Sequence, residues 1–202
     1  LVASDLNGDS KMDFLVARRD QDGVAVLPGG EGGSFGAVRV IEGESVPSDV
    51  GVGDITGDGL PDLVACDLLG GGTGGLVTSW VNLGDWVFAP PRTFPSGLLS
   101  IAVSLLDFTG DGKLDLAVAN QGSKDLSLLE GIGDGSFAGQ TRLPLGSAPI
   151  AVAAGDLSGD GWADLAVLET TGPTLAVFLN DGQGGFVPGA SLPCGVEPAA
   201  LA

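Results

Sequence analysis

Four short segments of the sequence concentrate the side chains best suited to chemistry. Each segment reads D-x-(N/T/S)-G-D-(G/S)-x-x-D, so oxygen-bearing side chains recur at its first, third, fifth and ninth positions. The seventh position can add its backbone carbonyl, and alternate residues of a tightly curled loop can face one centre. The pattern therefore predicts one metal site per segment. The predicted ligands are Asp5, Asn7, Asp9, Lys11 and Asp13; Asp54, Thr56, Asp58, Leu60 and Asp62; Asp107, Thr109, Asp111, Lys113 and Asp115; and Asp156, Ser158, Asp160, Trp162 and Asp164.

The cation predicted for these segments is Ca2+, up to four ions in all. The spacing matches an EF-hand loop cut short at its ninth position. With a bidentate ninth Asp and one water, the donors supply about six or seven oxygen ligands, which suits Ca2+ better than Mg2+. Transition metals are disfavoured because no nitrogen or sulfur ligand is offered. The competing interpretation is that the Asp residues only form Asx-turns, but three clustered carboxylates in each of four copies would repel one another without a cation.

The first segment departs from the other three at its sixth position. Gly59, Gly112 and Gly161 supply the sharp turn there, whereas the first segment has Ser10. A side chain in a left-handed backbone conformation costs about 1 kcal/mol. Although Asn7 gives this segment the best third ligand, we expect it to bind metal more weakly than the others.

Composition excludes several classes of function. The 202 residues include 26 acidic and 8 basic side chains, a formal charge of -18, and no His. Without His there is no Ser-His-Asp triad and no His zinc site, and so acidic a surface repels nucleic acid. Paired carboxylates can hydrolyse glycosides, but here nearly all candidate pairs lie inside the predicted metal segments. We therefore expect a protein that is not an enzyme, and the 44% hydrophobic content indicates a folded, turn-rich chain.

The metal segments belong to an internal repeat. Their first Asp residues are 49, 53 and 49 residues apart. A Gly-rich turn ending in Phe follows each first Asp by 30, 34, 30 and 30 residues. The longer spacing in the second repeat reflects four extra residues in the stretch from Leu69 to Gly75. The four turn residues are Phe35, Phe88, Phe137 and Phe186.

Each repeat divides into four short strands. One apolar run precedes the Asp segment, a second follows it, and a third precedes the Phe turn, as in Ile150–Ala154, Leu116–Ala119 and Leu126–Leu129. A more polar run follows the Phe, as in Gly36–Ile41. Unbroken apolar runs of this length, bounded by Gly and Asp, are typical of strands buried on both faces and disfavour helices.

The predicted fold is all-β, a β-propeller built of four-stranded antiparallel blades. Residues 1–202 form a single propeller domain or part of one. The repeats are predicted at 1–46, 47–98, 99–147 and 148–196, with 197–202 starting or closing a further blade.

The repeats resemble the FG-GAP or VCBS repeats of integrin-α-like β-propellers. The resemblance covers essentially the whole chain, and the Asp segment is its most specific part. It implies that the segment is a calcium loop joining the first two strands of a blade, and that the protein is extracellular or part of the cell envelope. It also implies a non-enzymatic binding, adhesion or scaffold module with a protein or glycan ligand. The alternatives are a carbohydrate-binding lectin or the non-catalytic propeller region of a larger secreted enzyme.

Blade number is left open by the sequence, since integrin-like propellers usually have seven blades. Pro198–Ala202 has the pattern of a strand beginning, and Leu1–Asp5 that of a strand ending. Either further blades flank this chain, or its ends meet each other or a second copy in a homo-oligomer. No apolar run is long enough for a membrane helix, so membrane insertion is not expected.

The remaining candidates have ordinary structural interpretations. Cys66 and Cys194 are predicted to be buried small hydrophobic residues, although a disulfide is left open. The three tryptophans are predicted to be packing or rim residues, with Trp162 the best candidate for ligand contact because it occupies the seventh position of its segment. They are Trp80, Trp86 and Trp162.

Overall fold

The computed structural model describes residues 1–43, 46–68, 74–170 and 174–195. These residues form four antiparallel sheets of four strands and one short 3-10 turn, Glu31–Gly33. The predicted strand start at Pro198–Ala202 lies outside the described residues, as do residues 69–73 of the second-repeat insertion. The strands are β1 Val2–Ser4, β2 Asp13–Ala17, β3 Val24–Leu27 and β4 Arg39–Ile41; β5 Pro47–Gly53, β6 Asp62–Asp67, β7 Leu76–Trp80 and β8 Arg92–Pro95; β9 Ser100–Leu106, β10 Asp115–Asn120, β11 Asp125–Leu129 and β12 Thr141–Pro144; β13 Pro149–Gly155, β14 Asp164–Glu169, β15 Thr174–Asn180 and β16 Phe186–Pro193.

Each sheet is a meander in which consecutive strands pair, and each lies within one predicted repeat. Every residue of β6 and β10 is buried, which explains why these second strands are unbroken apolar runs rather than alternating ones. The outermost strands β8 and β12 are largely exposed and carry Arg92 and Arg142. The all-β prediction and the four-stranded units are confirmed.

The four sheets are blades that stack face to face through three apolar clusters. Neighbouring residues of one strand serve different clusters: Leu116 packs against the second blade, whereas Ala117 packs against the fourth. This follows from the two-residue period of a strand, which sends successive side chains to opposite faces. The inner strands β1, β5, β9 and β13 line a funnel of about 590 Å³. This is the architecture of a β-propeller.

The arc of blades is open among the described residues. Apolar clusters join the first blade to the second, the second to the third and the third to the fourth. In the described part of the chain, no such cluster joins the fourth blade to the first. No helix formed by the described residues is both long and apolar enough to span a membrane.

The two cysteines differ in environment, and no disulfide joins them. Cys66 is buried in β6, with its Sγ 3.2 Å from the Ser48 hydroxyl. The prediction of burial is confirmed for Cys66 but wrong for Cys194, which is exposed because it follows β16, the solvent-exposed outer strand of the fourth blade. Burial raises the pKa of the Cys66 thiol to about 12.

We predict that only one thiol of the native protein reacts with a thiol-specific reagent at neutral pH. Thiolate is the reactive species, and at Cys66 it is suppressed by burial and by the raised pKa. Titration with Ellman's reagent should report one fast thiol that disappears in Cys194→Ser, and a second thiol after unfolding in denaturant. Rapid native labelling of Cys66 would contradict the packing described for β6.

Candidate metal centre: the four aspartate loops

The four Asp segments form loops of one shape, each joining the first two strands of its blade. The fourth and sixth positions all have positive φ, between 65° and 92°, a region that favours glycine. This curvature turns the first Asp inward, where its carboxylate accepts the N–H groups of the fourth and sixth positions at 2.7–3.0 Å. The acceptors in these pairs are Asp5, Asp54, Asp107 and Asp156.

The fifth Asp of each loop makes a second internal turn. Its Oδ1 accepts the N–H of the seventh position at 2.9–3.0 Å in all four copies. In the third position, the Thr56 hydroxyl lies 3.3 Å from Asp54 Oδ1 and the Thr109 hydroxyl lies 3.4 Å from Asp107 Oδ1. The side-chain oxygens of the first and third positions are therefore adjacent in these two loops.

The ninth Asp of each loop is almost completely buried and connects two parts of its blade. Its Oδ2 accepts the N–H of the second loop position at 2.9–3.0 Å. Its Oδ1 accepts an N–H from the end of the third strand or from the second residue beyond it, at 2.7–2.8 Å. The buried acceptors are Asp13, Asp62, Asp115 and Asp164, and the distant donors are Gly29, Asn82, Gly131 and Asn180.

This connecting role of the ninth Asp was not part of the sequence prediction, which treated it only as a metal ligand. The N–H donor to its Oδ1 lies 16 residues after the ninth Asp in three repeats. In the second repeat, which has the four-residue insertion, the donor lies 20 residues after it. Apart from that insertion, the spacing from the ninth Asp to the start of the Phe turn is constant. This constant spacing was the sequence signal that could have predicted the contact.

Two asparagines at the same place also join neighbouring blades. The Asn82 amide donates to the carbonyl oxygen of Leu6 at 2.8 Å, and the Asn180 amide donates to that of Phe108 at 2.9 Å. Both acceptors are second-position carbonyls of the preceding blade's loop. The loops thus lie directly on the blade junctions, a contact that sequence reasoning also missed.

Negative charge accumulates inside the loops. Burial raises the pKa of Asp62, and the charges of Asp58 and Asp54 raise it further. Burial likewise raises the pKa of Asp115, with a contribution from the charge of Asp107. Carboxylates of one loop therefore disfavour one another's ionised form.

Backbone donors and lysines offset part of this charge. Burial acts to raise the pKa of Asp54, but hydrogen bonds from its own loop's N–H groups outweigh it and lower the pKa. In the third loop Lys113 Nζ lies 2.7 Å from Asp111 and lowers its pKa. In the first loop Lys11 lies 3.1 Å from Glu31 and 3.9 Å from Asp9. The seventh positions of the second and fourth loops, Leu60 and Trp162, carry no such charge.

The loops have the oxygen donors and the tight curvature that suit calcium, but their side chains are not already arranged around a common point. Among the described residues, no three acidic, Cys or His side chains already surround a common point, since the first and fifth carboxylates are turned onto their own backbone. A carboxylate has about four lone-pair sites, so these hydrogen bonds leave acceptor capacity at each Asp. The oxygen-only donor set suits Ca2+.

The tryptophans lie at blade junctions. Trp80 is buried and donates to the Glu42 carbonyl at 2.9 Å. Trp86 is half-buried beneath Arg39, whose guanidinium is 5.0 Å from the ring centre. The half-buried Trp162 ring covers Gly110 of the third loop, where a Cβ would lie only 2.2 Å from it. All three pack against protein, as the sequence interpretation expected.

A family profile described as FG-GAP-like repeat matches residues 5–65 and 107–167, which include all four Asp loops and more than half of the chain. The chain belongs to the FG-GAP-like repeat family. A search of curated proteins finds no match for this FG-GAP-like repeat protein.

Several solved structures share the fold of this FG-GAP-like repeat protein. An Agrocybe aegerita lectin that recognises non-reducing terminal N-acetylglucosamine aligns with 94% of this chain and 51% of its own, at TM-score 0.61 and 22% identity. BBS1N in complex with ARL6DN aligns over 98% and 53%, at TM-score 0.60 and 13% identity. The V. cholerae biofilm matrix protein Bap1 aligns over 95% and 28%, at TM-score 0.54 and 17% identity. The chain spans about half the length of the first two.

The first FG-GAP-like loop holds a strained residue that offers a test of loop geometry. Ser10 adopts φ 65° where the other loops have glycine, as the sequence analysis expected. We predict that Ser10→Gly stabilises the protein by about 1 kcal/mol, which raises the melting temperature by about 2–4 °C. Calorimetry or denaturant unfolding measures this change.

The matched control is Gly161→Ser in the fourth loop. Gly161 has φ 92°, and a Cβ added there would meet no other atom within 4 Å, so the substitution introduces strain without a steric clash. It should destabilise by about the amount that Ser10→Gly stabilises. Equal stability of both variants and the parent protein would contradict the assigned loop conformation.

Proposed function

We propose that this chain is a calcium-stabilised, non-enzymatic binding or scaffold propeller that acts outside the cell or in the cell envelope. The observation that carries the proposal is the fourfold recurrence of one loop with three carboxylates, at the same place in every blade. In the second and fourth loops no lysine of the loop offsets that charge. A cation bound in each loop would offset the negative charge of its three carboxylates.

The residues that would hold Ca2+ are the side chains of positions one, three, five and nine and the carbonyl of position seven. In the third loop these are Asp107, Thr109, Asp111, Asp115 and Lys113. The bound ion would supply positive charge and oxygen coordination. The chain's own residues do the rest: the first Asp curls the loop, and the ninth Asp fixes it to the third strand.

Calcium in this position is structural in the proposal. Extracellular calcium modules bind at roughly 10⁻⁴–10⁻³ M. At about 1 mM free calcium and a tenfold smaller dissociation constant, each site adds about 1.4 kcal/mol of stability. Four independent sites would add about 5–6 kcal/mol, a large share of the stability of a typical domain.

The proposed binding role rests on family membership and on the shortage of side chains that could catalyse a reaction. There is no His, and the paired carboxylates are committed to the loops. Protein or glycan ligands are the proposed partner class. The structurally similar proteins include one sugar-binding lectin and one propeller bound to another protein, which supports proposing both glycan and protein ligands.

A lectin is the second candidate, favoured by one feature of the surface. A cleft of about 340 Å³ between the first two blades is lined by Trp80, Trp86, Phe88 and Pro91. Aromatic side chains offer apolar faces with polar edges, which suits sugar rings. A glycan array separates this candidate from a protein-binding scaffold.

The calcium proposal predicts a large thermal response. Replacing calcium with a chelator should lower the melting temperature by about 10–20 °C, because about 5–6 kcal/mol is lost at about 2–4 °C per kcal/mol. Differential scanning calorimetry in millimolar calcium, magnesium or chelator measures this, and calcium added back should restore the melting temperature.

Two matched variants localise the effect. Asp160→Asn, at the fifth position of the fourth loop, should reduce the calcium-dependent shift by about one quarter, since one of the four sites is impaired. Asp20→Asn removes an exposed carboxylate outside every loop and should leave the shift unchanged. Identical melting curves in calcium and chelator would overturn the proposal.

A further inference from the structure

The third position of the first loop differs chemically from its counterparts. Asn7 has a side-chain amide there, whereas the other loops have the hydroxyls of Thr56, Thr109 and Ser158. Glycine follows this position in every loop, so Asn7 and Gly8 form the one Asn–Gly pair of the sequence. The carbonyl carbon of an Asn amide can be attacked by the backbone nitrogen of the next residue. A hydroxyl side chain has no such carbon, so this reaction is open only to the third position of the first loop.

The asparagines of the chain fall into two environments. Three of them are at most 5% exposed, and each donates its amide hydrogens to two acceptors at 2.8–3.2 Å. Asn7 is partly exposed, and within the described part of the chain its amide nitrogen makes no hydrogen bond. Packing and hydrogen bonds therefore hold three amides in place and leave that of Asn7 free to react. The three held residues are Asn82, Asn120 and Asn180.

Gly8 presents an accessible backbone nitrogen to the Asn7 amide. Gly8 is exposed, and a Cβ added to it would meet no other atom within 4 Å, so the space around this residue is open to solvent. Glycine also has no Cβ of its own to hinder the approach of its nitrogen to a neighbouring carbon. The Gly8 N–H donates to Asp5 Oδ1 at 2.8 Å. A carboxylate thus lies within hydrogen-bond reach of the proton that the nitrogen must lose.

The carbonyl group of the Asn7 amide is held by its own loop. Asn7 Oδ1 accepts the N–H of Asp9 at 3.3 Å, which is an Asx-turn. Negative charge develops on this oxygen when a nucleophile attacks Cγ, and a backbone N–H directed at the oxygen stabilises that charge. The loop therefore places one group beside the nucleophile and another beside the electrophile of an intramolecular reaction.

We propose that Asn7 deamidates spontaneously in the folded protein. The Gly8 nitrogen bonds to Asn7 Cγ, the Cγ–Nδ2 bond breaks, and the amide nitrogen leaves with the Gly8 proton as ammonia. The product is a cyclic imide that water opens at either of its carbonyl groups. Opening at one carbonyl gives aspartate at position 7. Opening at the other gives isoaspartate, in which the main chain passes through the side-chain carbon.

Deamidation changes the first loop permanently. The aspartate product adds a fourth carboxylate at a proposed ligand position, and the charge of the ligands is one determinant of calcium affinity. The isoaspartate product lengthens the main chain beside Gly8, whose N–H binds the first Asp of the loop. These consequences rest on the proposed calcium function, whereas the deamidation itself does not.

Peptide mapping by mass spectrometry tests the proposal. The native protein is aged at neutral pH in chelator, beside a sample unfolded in denaturant that shows how fast the unrestrained Asn–Gly pair converts. The tryptic peptide ending at Lys11 should gain the mass difference between an amide and an acid, and should separate into two products of equal mass. Peptides that contain the buried asparagines should keep their mass. The intact native protein should gain one negative charge in ion-exchange chromatography.

Two variants provide matched controls. Asn7→Thr introduces the residue found in the second and third loops and should abolish the mass gain. Gly8→Ala keeps the amide but adds a methyl group beside the attacking nitrogen, and it should slow the conversion. Alanine fits the open space there at a cost of about 1 kcal/mol for its left-handed backbone, and a melting curve should show that the variant remains folded.

Three results would overturn the proposal. If Asn7 stays an amide in the native protein while it converts in denaturant, the hydrogen bonds of the loop protect it. If the buried asparagines convert as fast as Asn7 in the native protein, burial does not select the site. If Gly8→Ala converts as fast as the parent, the Gly8 nitrogen does not form the ring. All samples contain chelator, so failure here leaves the calcium proposal standing, and failure of the calcium proposal leaves this result unchanged.

Discussion

The structure depends on a carboxylate buried at the ninth position of each loop. An isolated charge inside a protein is costly unless hydrogen bonds or an opposite charge compensate it. Here each of these carboxylates receives backbone N–H groups from both sides, from its own loop and from the end of the third strand. One side chain thus fixes the turn between the first two strands and the start of the Phe turn. The proposed cation would add the charge that backbone donors cannot.

The rest of each blade follows from that connection. The loop can close around its first Asp only if its fourth and sixth residues adopt left-handed conformations, which explains why glycine dominates both positions. The closed loop brings its second position against the next blade, and there Asn82 and Asn180 bind its carbonyl. Loop chemistry and blade stacking are therefore parts of one arrangement. Alternating strand residues complete it by supplying a cluster on each side of a blade.

The sequence predicted the features that are encoded by short motifs and recur in every repeat. The Asp segments, the Phe turns and the buried second strands recur with one period, and they predicted the all-β blades and the loop between the first two strands. The strain at Ser10 was also visible, since three sibling repeats have glycine there. What sequence reasoning missed depends on contacts between distant residues. Asn82 and Leu6 are 76 residues apart, and the exposure of Cys194 reflects its place on an outer strand rather than its residue type.

The central claim is that the ninth-position carboxylate holds the blade together through its backbone donors. The most direct measurement is the unfolding free energy of Asp115→Asn, compared with the parent protein in chelator, so that metal binding does not contribute. Asn keeps the size of the side chain but turns one acceptor into a donor facing the N–H of Phe108, Thr109 or Gly131. A buried donor left without an acceptor costs about 1–3 kcal/mol, and the account predicts a loss of that size. An unchanged unfolding free energy would contradict it.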